Sequence, residues 1–374
     1  MEYFFIDTQE DLINLCKKME HQKIIAIDTE FIRRTTFFPI VCLLQVCFDE
    51  ENAYVIDMLK ELDLKKIMEI IYKEDVVKVF HSSYQDLEIL FNINKALPKN
   101  IFDTQIALLA MGQQENISYD KMLKIILKTY IDKFQKDSIW NVRPLTKSQI
   151  IYAANDVFYL FKAYFIIHKL LLENDKYVFL EKKMLELSNE KRYIFNIDEA
   201  LYKMATNSNP KYLSNLKNLI LFRYNEAVKL NLNYNRIIDD SIVEELAKMF
   251  DPKVETLAAI LTNKNNKKYC DTVFDILNLD IELIKIDKWD NPRIYNKDIC
   301  KIIEIVLKQI ANTIQINPSL IATKQDIEEI VIHKEEAKND SMVGIRYKIF
   351  GSIAIDILNG KKVIFIENDS IVYK

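Results

Sequence analysis

Five residues in the first 156 positions have the types and settings of a reaction centre: Asp28 and Glu30 in IIAIDTEF, Asp86 in FHSSYQDLEIL, and Tyr152 with Asp156 in IIYAANDV. Each acid interrupts apolar sequence, where an ionised carboxylate is costly unless it is paired or coordinates a metal. Residues two apart in a strand share a face, so Asp28 and Glu30 point one way and Ile27, Thr29 and Phe31 the other. Residues four apart in a helix are neighbours, which puts Tyr152 beside Asp156. Asp86 falls in the first turns of a helix that Ser82 is expected to cap, with Gln85 in the capping-box place, where the helix dipole favours an anion. Three acid-bearing elements can thus converge on one point. Carboxylate oxygens suit hard divalent ions such as Mg²⁺ or Mn²⁺, and a pair of such ions clamps an in-line phosphoryl displacement. The tyrosine hydroxyl could then hold a water or a phosphate oxygen. Taken singly each motif is weak, because a D-x-E strand and a Y-x-x-x-D helix occur in many proteins that bind no metal.

The elements that must position these residues alternate between strand and helix. Tyr3–Ile6, Lys23–Phe31, Val41–Phe48, Ala53–Met58 and Val76–His81 read as strands. Thr8 opens a helix to about Met19, Leu62–Tyr72 is a second, and Asp103–Met111, Ser118–Leu127 and Thr146–Leu172 follow. This order implies an α/β domain with a mixed sheet. The strands from Lys23 to Met58 are close enough in sequence for an antiparallel meander, and Val76–His81 follows a helical crossover. After about residue 173 strand signals nearly vanish. Helices are expected at Leu213–Leu230, Asp240–Met249 and Val254–Leu261, then at Lys297–Ile314, Asp326–Ile332 and Met342–Leu358. Ser208-Asn209-Pro210, Asn291-Pro292 and Asn317-Pro318 mark breaks or turns.

Composition removes several function classes. The 374 residues suit two or three domains, and 49% hydrophobic with 28% charged residues is a globular balance. Only four glycines occur (Gly112, Gly344, Gly351, Gly360), too scattered for a P-loop or dinucleotide fingerprint, so no nucleotide cofactor is expected. The four histidines lack zinc spacing. The five scattered cysteines read as reduced thiols, and the acidic N-terminus is no signal peptide, which together point to the cytoplasm and no membrane. A net charge of −4 argues against non-specific coating of nucleic acid. Between Lys203 and Arg236, however, six basic residues, among them Lys217, Arg223 and Lys229, face one acid, with Tyr212, Phe222, Tyr224 and Tyr234 interleaved. That pattern suits single-stranded nucleic acid, or equally aromatics in a core and lysines on a solvated face. Trp140, ahead of the Asp156 helix, either lines a groove beside Arg143 or packs in the core. Asp103 reads as a helix cap.

In combination the motifs are far more specific. DTEF, HSSYQDLE and YAAND resemble the three exonuclease motifs of the DEDD superfamily. Tyr152 stands four residues before Asp156, and Ile151 occupies the place where another subclass has histidine, so the resemblance is to the tyrosine subclass. DTEFIRRTTFFPIVCLLQV and NIFDTQIA are similar to the ribonuclease D family. The resemblance implies a ribonuclease H-like α/β fold in which Asp28, Glu30, Asp86 and Asp156 bind two divalent metal ions and Tyr152 orients the attacking water. Phe31 and Gln45 fall on family positions near the substrate and the sheet. His81 is expected to pack or hydrogen-bond beside the site, and with Lys217, Arg223 and Lys229 it is a weak candidate for RNA contact. The implied organisation is an exonuclease domain over 1–172, a helical linker over 173–207, a helicase-and-RNase-D C-terminal (HRDC) domain over 208–288 and a degenerate second copy over 292–374. The chain departs from the family in its acidic charge and in Ile345 after Gly344, where a tryptophan is frequent. The implied activity is 3′→5′ exoribonuclease action releasing 5′-mononucleotides, with tRNA precursors and other structured RNAs with a free 3′ end as substrates and no obligate protein partner. A DNA 3′→5′ exonuclease and a non-catalytic nucleic-acid-binding module are the rival readings.

Overall fold

The computed structural model describes residues 2–131, 135, 138–262, 266–284, 286, 296–367 and 370–374; the expected Asn291-Pro292 break lies outside them. The chain divides into two compact units. One comprises Met1–Glu30, Val41–Glu190 and Ile294–Lys374, and the other Phe31–Ile40 with Lys191–Arg293.

The first unit is built on a six-stranded sheet of order β1-β4-β3-β2-β5-β6, from β1 (Glu2–Ile6), β2 (Ile24–Ile32), β3 (Ile40–Cys47), β4 (Asn52–Asp57), β5 (Val77–Phe80) and β6 (Ile101–Asp103). β3 and β4 are antiparallel, with Leu44 opposite Ile56, whereas β1 with β4, β2 with β5 and β5 with β6 are parallel. Helix α1 (Gln9–Met19) starts where Thr8 accepts from the Asp11 N–H, and α2 is Lys65–Ile71. The parallel pairings follow from helices that carry the chain back across the sheet. β6 was not legible as a strand: at three residues, running straight into α4 (Thr104–Leu109), it is too short to show a period.

The helix bearing Asp86 does not begin as its sequence suggests. Ser82 has φ +63°, α3 is Tyr84–Asn94, and Ser83 at its N-cap makes no side-chain cap. Instead the Asp103 carboxylate accepts the N–H groups of Ser82 (3.1 Å), Ser83 (2.8 Å) and Gln105 (2.8 Å). One acid from a neighbouring strand therefore caps its own helix and organises the entry to another.

Helix α5 is Tyr119–Ile126, and α6 is Lys147–Glu173, opened by a Thr146/Gln149 capping box. α6 is the one helix among the described residues long and apolar enough to cross a membrane, and half of that window is packed inside the protein. A buried ion pair fixes the segment leading into it. Arg143 donates from Nε (2.7 Å) and Nη2 (2.6 Å) to the two oxygens of the fully buried Asp57, and further to the carbonyls of Cys42 and Trp140. Trp140 is buried, so core packing is the reading of it that holds.

Helix α7 (Glu181–Leu187) and the last helices, α14 (Lys297–Thr313), α15 (Lys324–His333) and α16 (Ser352–Leu358), belong to the sheet's unit. Asn317 donates its N–H to the Leu109 carbonyl at 2.7 Å and its Nδ2 to that of Gln113, and Arg346 donates to the carbonyls of Leu320 and Phe179. Gly112, at φ +76°, lets the Gln315 carbonyl come within 3.3 Å of where a Cβ would stand. The chain ends in an antiparallel pair, β7 (Ile364–Glu367) with β8 (Ser370–Tyr373), that the strand pattern did not announce.

The second unit packs α8 (Ile197–Met204), α9 (Pro210–Leu230), α10 (Tyr234–Ile237), α11 (Asp240–Ala247), α12 (Val254–Thr262) and α13 (Cys270–Leu277) around Tyr212, Leu216, Leu219 and Ile220. Phe37, from the loop after β2, meets Tyr224 and Tyr234 edge-on, and the Asn233 N–H donates to the Thr35 carbonyl.

Burial pulls the Asp57 carboxyl up, but the Arg143 guanidinium and the Leu59 N–H outweigh it and hold the group below the usual carboxylate range. Arg143→Ala should cost about 3–5 kcal/mol of stability at neutral pH, because it strands a buried charge. A lowered folded pKa stabilises above the unfolded value of about 3.9, and that stabilisation disappears as pH falls through the folded value, so the gap between the two proteins should close in acid. Urea unfolding of both at several pH values is the check; a neutral-pH loss under about 1 kcal/mol would mark a merely solvated pair.

Candidate functional site

β2 brings Asp28 and Glu30 to the sheet, and α6 brings Asp156. Ligand oxygens from these three acids lie within 4.8 Å of one another. They line a cavity of about 220 Å³ together with Thr29, His81, Tyr119, Tyr152 and Leu160. The Tyr152 hydroxyl hydrogen-bonds to the Asp156 carboxylate, the helical neighbour relation expected from the sequence. Asp86, buried in the first turn of α3, stands just outside the triad, and the Thr29 hydroxyl donates to its Oδ1 at 2.6 Å. Strand alternation sets Thr29 off from the acid pair, yet it is the residue that ties the fourth carboxylate to β2.

The electrostatics are those of acids crowded into one place. Burial and the charge of Asp156 push the Asp28 carboxyl well above its usual range, against one opposing bond from the Thr29 backbone. Burial, then Asp28, Asp156 and Asp86, carry Glu30 up to about 10. Burial lifts Asp156 to about 8 despite the Tyr152 hydrogen bond. Asp86 is raised by burial and by Asp28, against the Thr29 hydroxyl. The helix-dipole advantage expected for an Asp86 anion is therefore outweighed. Burial and the charges of Asp156, Glu30 and Asp28 raise the Tyr152 phenol far beyond its ordinary value, so it keeps its proton and acts as a donor. An all-oxygen set of repelling carboxylates suits a hard divalent cation, which would remove the repulsion and justify the burial.

His81 is held on both ring nitrogens, Nδ1 at 2.9 Å from the Thr104 hydroxyl and Nε2 at 3.0 Å from the Ile117 carbonyl. A carbonyl only accepts, so Nε2 carries a proton, while the Thr104 hydroxyl beside Nδ1 donates to the Phe80 carbonyl at 3.0 Å. Burial lowers the His81 pKa, against the charge of Asp103, and the ring is neutral. It forms a wall of the cavity and has no nitrogen to spare for acid–base work.

The remaining candidates separate. Phe31 follows Glu30 in β2 and is half-buried. Gln45 is fully buried in β3 opposite Val55. Arg223 is a correction. It is 4% exposed, donates to Asp240 at 2.5 Å and lies over the Tyr234 ring, so it is a core residue and offers nothing to RNA. Its place was readable, since 212, 216, 219, 220, 223 and 227 form one buried stripe of α9. Tyr212 in that stripe is wholly buried and Phe222 packs on Tyr269, which makes these aromatics core. Lys217 pairs with Glu282 at 2.7 Å and the exposed Lys229 with Glu226 at 3.3 Å. Sequence reasoning missed Thr29, Tyr119 and Leu160. Their roles depend on groups distant in sequence, and only Leu160, one helical turn beyond Asp156, carried a spacing signal.

Known proteins resemble this chain over most of its length. A family model described as a 3′-5′ exonuclease matches residues 3–173. The chain is 30% identical over 363 residues to ribonuclease D of Bartonella henselae, covering 94% of this chain and 89% of that one. It is 29% identical to ribonuclease D of Zymomonas mobilis, covering 96% and 95%. Among solved structures it shares a fold with Escherichia coli RNase D, described as an exoribonuclease involved in structured RNA processing, with a TM-score of 0.77 at 24% identity, over 96% of this chain and 99% of that one.

Raised carboxyl pKa values have a consequence for stability. Between about pH 4 and the raised values the metal-free folded state binds more protons than the unfolded chain, so its stability falls as pH rises through that window. Urea unfolding of chelator-treated protein should show lower stability at about pH 8 than at about pH 5, with Mg²⁺ restoring more at the higher pH. Equal Mg²⁺ effects at both would mean that these acids do not form the binding site together.

Proposed function

This chain belongs to the ribonuclease D family of 3′→5′ exoribonucleases, and from that premise we propose that it trims structured RNAs, tRNA precursors among them, from a free 3′ end and releases 5′-mononucleotides. The observation that carries the reading is the meeting of Asp28, Glu30 and Asp156 within 4.8 Å, with the Tyr152 phenol on Asp156. Two divalent ions, Mg²⁺ or Mn²⁺, are the proposed cofactor; bound there they would supply Lewis-acid activation of water and neutralise charge at the scissile phosphate. Asp28, Glu30 and Asp156 are the proposed direct ligands, with Asp86, steadied by Thr29, completing the set. Tyr152 holds its proton on Oη, donates it to the Asp156 carboxylate and so fixes one orientation of that group, and its oxygen is left to accept from and orient the attacking water. His81 closes the cavity beside them. The helical segments 208–288 and 292–374 are proposed as two HRDC-type modules, the second sharing a unit with the sheet.

Asp28→Ala or Asp156→Ala should lower hydrolysis of a short RNA by about three decades or more, since each removes a group that stabilises the transition state, while circular dichroism shows the fold intact. Near-normal turnover by either variant would sink the assignment. A linear RNA with a 3′-hydroxyl should be shortened one nucleotide at a time, and a 3′-phosphorylated or circular RNA should resist. Internal cuts in the circle would reveal a different nuclease class, and a preference for matched DNA would move the substrate. Tyr152→Phe keeps the ring and removes one hydrogen bond, so kcat should fall about one to three decades with KM little changed. Steady-state kinetics decide it; an unchanged kcat removes the phenol from the mechanism.

A further inference from the structure

The cavity has a second tyrosine, and its contacts differ in kind from those of Tyr152. The Tyr119 hydroxyl donates at 2.5 Å to the main-chain carbonyl of Asp156 and lies 3.2 Å from that of Asn155. α6 runs unbroken from Lys147 to Glu173, so the phenol is a second donor to a carbonyl of the helical step from Asp156 to Leu160. Tyr119 thus ties the turn of α6 that begins at Asp156 to the start of α5. Both ends of the step, Asp156 and Leu160, line the cavity.

The phenol is itself held. Its ring meets His81 edge-on at 5.5 Å between centroids, and His81 is locked by Thr104 and by the Ile117 carbonyl, which also accepts from Gln105 Nε2 at 3.0 Å. α4, the end of β5 and the start of α5 are linked in this way to one turn of α6. The Asp156 side chain, repelled by two buried carboxylates, would relax away from them if that turn could shift. Tyr152 restrains the carboxylate and Tyr119 restrains the backbone beneath it.

We propose that Tyr119 is a positioning residue, whose hydroxyl fixes the turn of α6 that carries Asp156 where its carboxylate can share a divalent cation with Asp28 and Glu30. This rests on the metal-site reading given above. It assigns Tyr119 a contribution to metal affinity, whereas Tyr152 contributes to turnover.

The test is Tyr119→Phe in the full chain, which keeps the ring and its His81 contact and removes only the hydroxyl. Calorimetric titration of Mn²⁺ into chelator-treated protein should show binding weakened about 10- to 100-fold, the range typical of groups that support a metal ligand. Hydrolysis of a short RNA should need correspondingly more metal and recover at saturating Mn²⁺, with KM for RNA unchanged. Unchanged Mn²⁺ affinity overturns the inference, whether the thermal midpoint falls or stays, and so does a change confined to KM. Asp156→Asn, titrated in parallel, separates the two levels of the argument. If it leaves Mn²⁺ binding intact, the metal-site reading itself fails; if it weakens binding while Tyr119→Phe does not, only the positioning role is lost.

Discussion

Like-charge repulsion in a buried place is the constraint on which this molecule turns. Two unit charges within 4.8 Å of each other repel by about 3 kcal/mol or more at an effective dielectric of about 20, and burial adds a further penalty to each. A helix N-terminus offers an anion at most about 2 kcal/mol in return. The balance favours the protonated form of these acids and raises Glu30 to about 10 and Asp156 to about 8. A site of this kind has to be held together from outside, which accounts for the density of hydrogen bonds around it.

Those supports are polar groups buried at crossings of the chain. Asp103 takes three backbone N–H groups at the joints of β5, α3 and α4. Arg143 spends its guanidinium on Asp57 and on main-chain carbonyls just before α6. Thr29 ties α3 to β2. Each fully satisfies a group that would otherwise oppose folding, and each fixes an element that carries a site acid. Rigidity at the site is thereby distributed over several elements, so that no single loop determines where the carboxylates stand.

The second unit obeys a different logic. Its basic and aromatic residues invite a nucleic-acid reading, but the aromatics and Arg223 have been taken into the core, and Lys217 and Lys229 are paired with carboxylates. The same residue types serve packing or binding according to which face of a helix they occupy. On α9 the face is set by a period that runs through Arg223 itself.

The acid pair on a strand, the Tyr152–Asp156 step on a helix, the α/β alternation and the helical remainder were all readable from residue order, because each depends on a period of two or four along a single element. The neighbours of those residues were not. Thr29 bonding Asp86, Asp103 capping in place of Ser82, Arg143 closing on Asp57 and Tyr119 reaching the Asp156 carbonyl join residues from 20 to 86 positions apart. No local pattern encodes such pairs. They exist because the sheet order brings distant elements side by side, and because a buried donor or acceptor must find its partner among whatever the fold has placed within reach. The chemistry was therefore written in the order of residues, and the geometry that makes it usable was decided by tertiary packing.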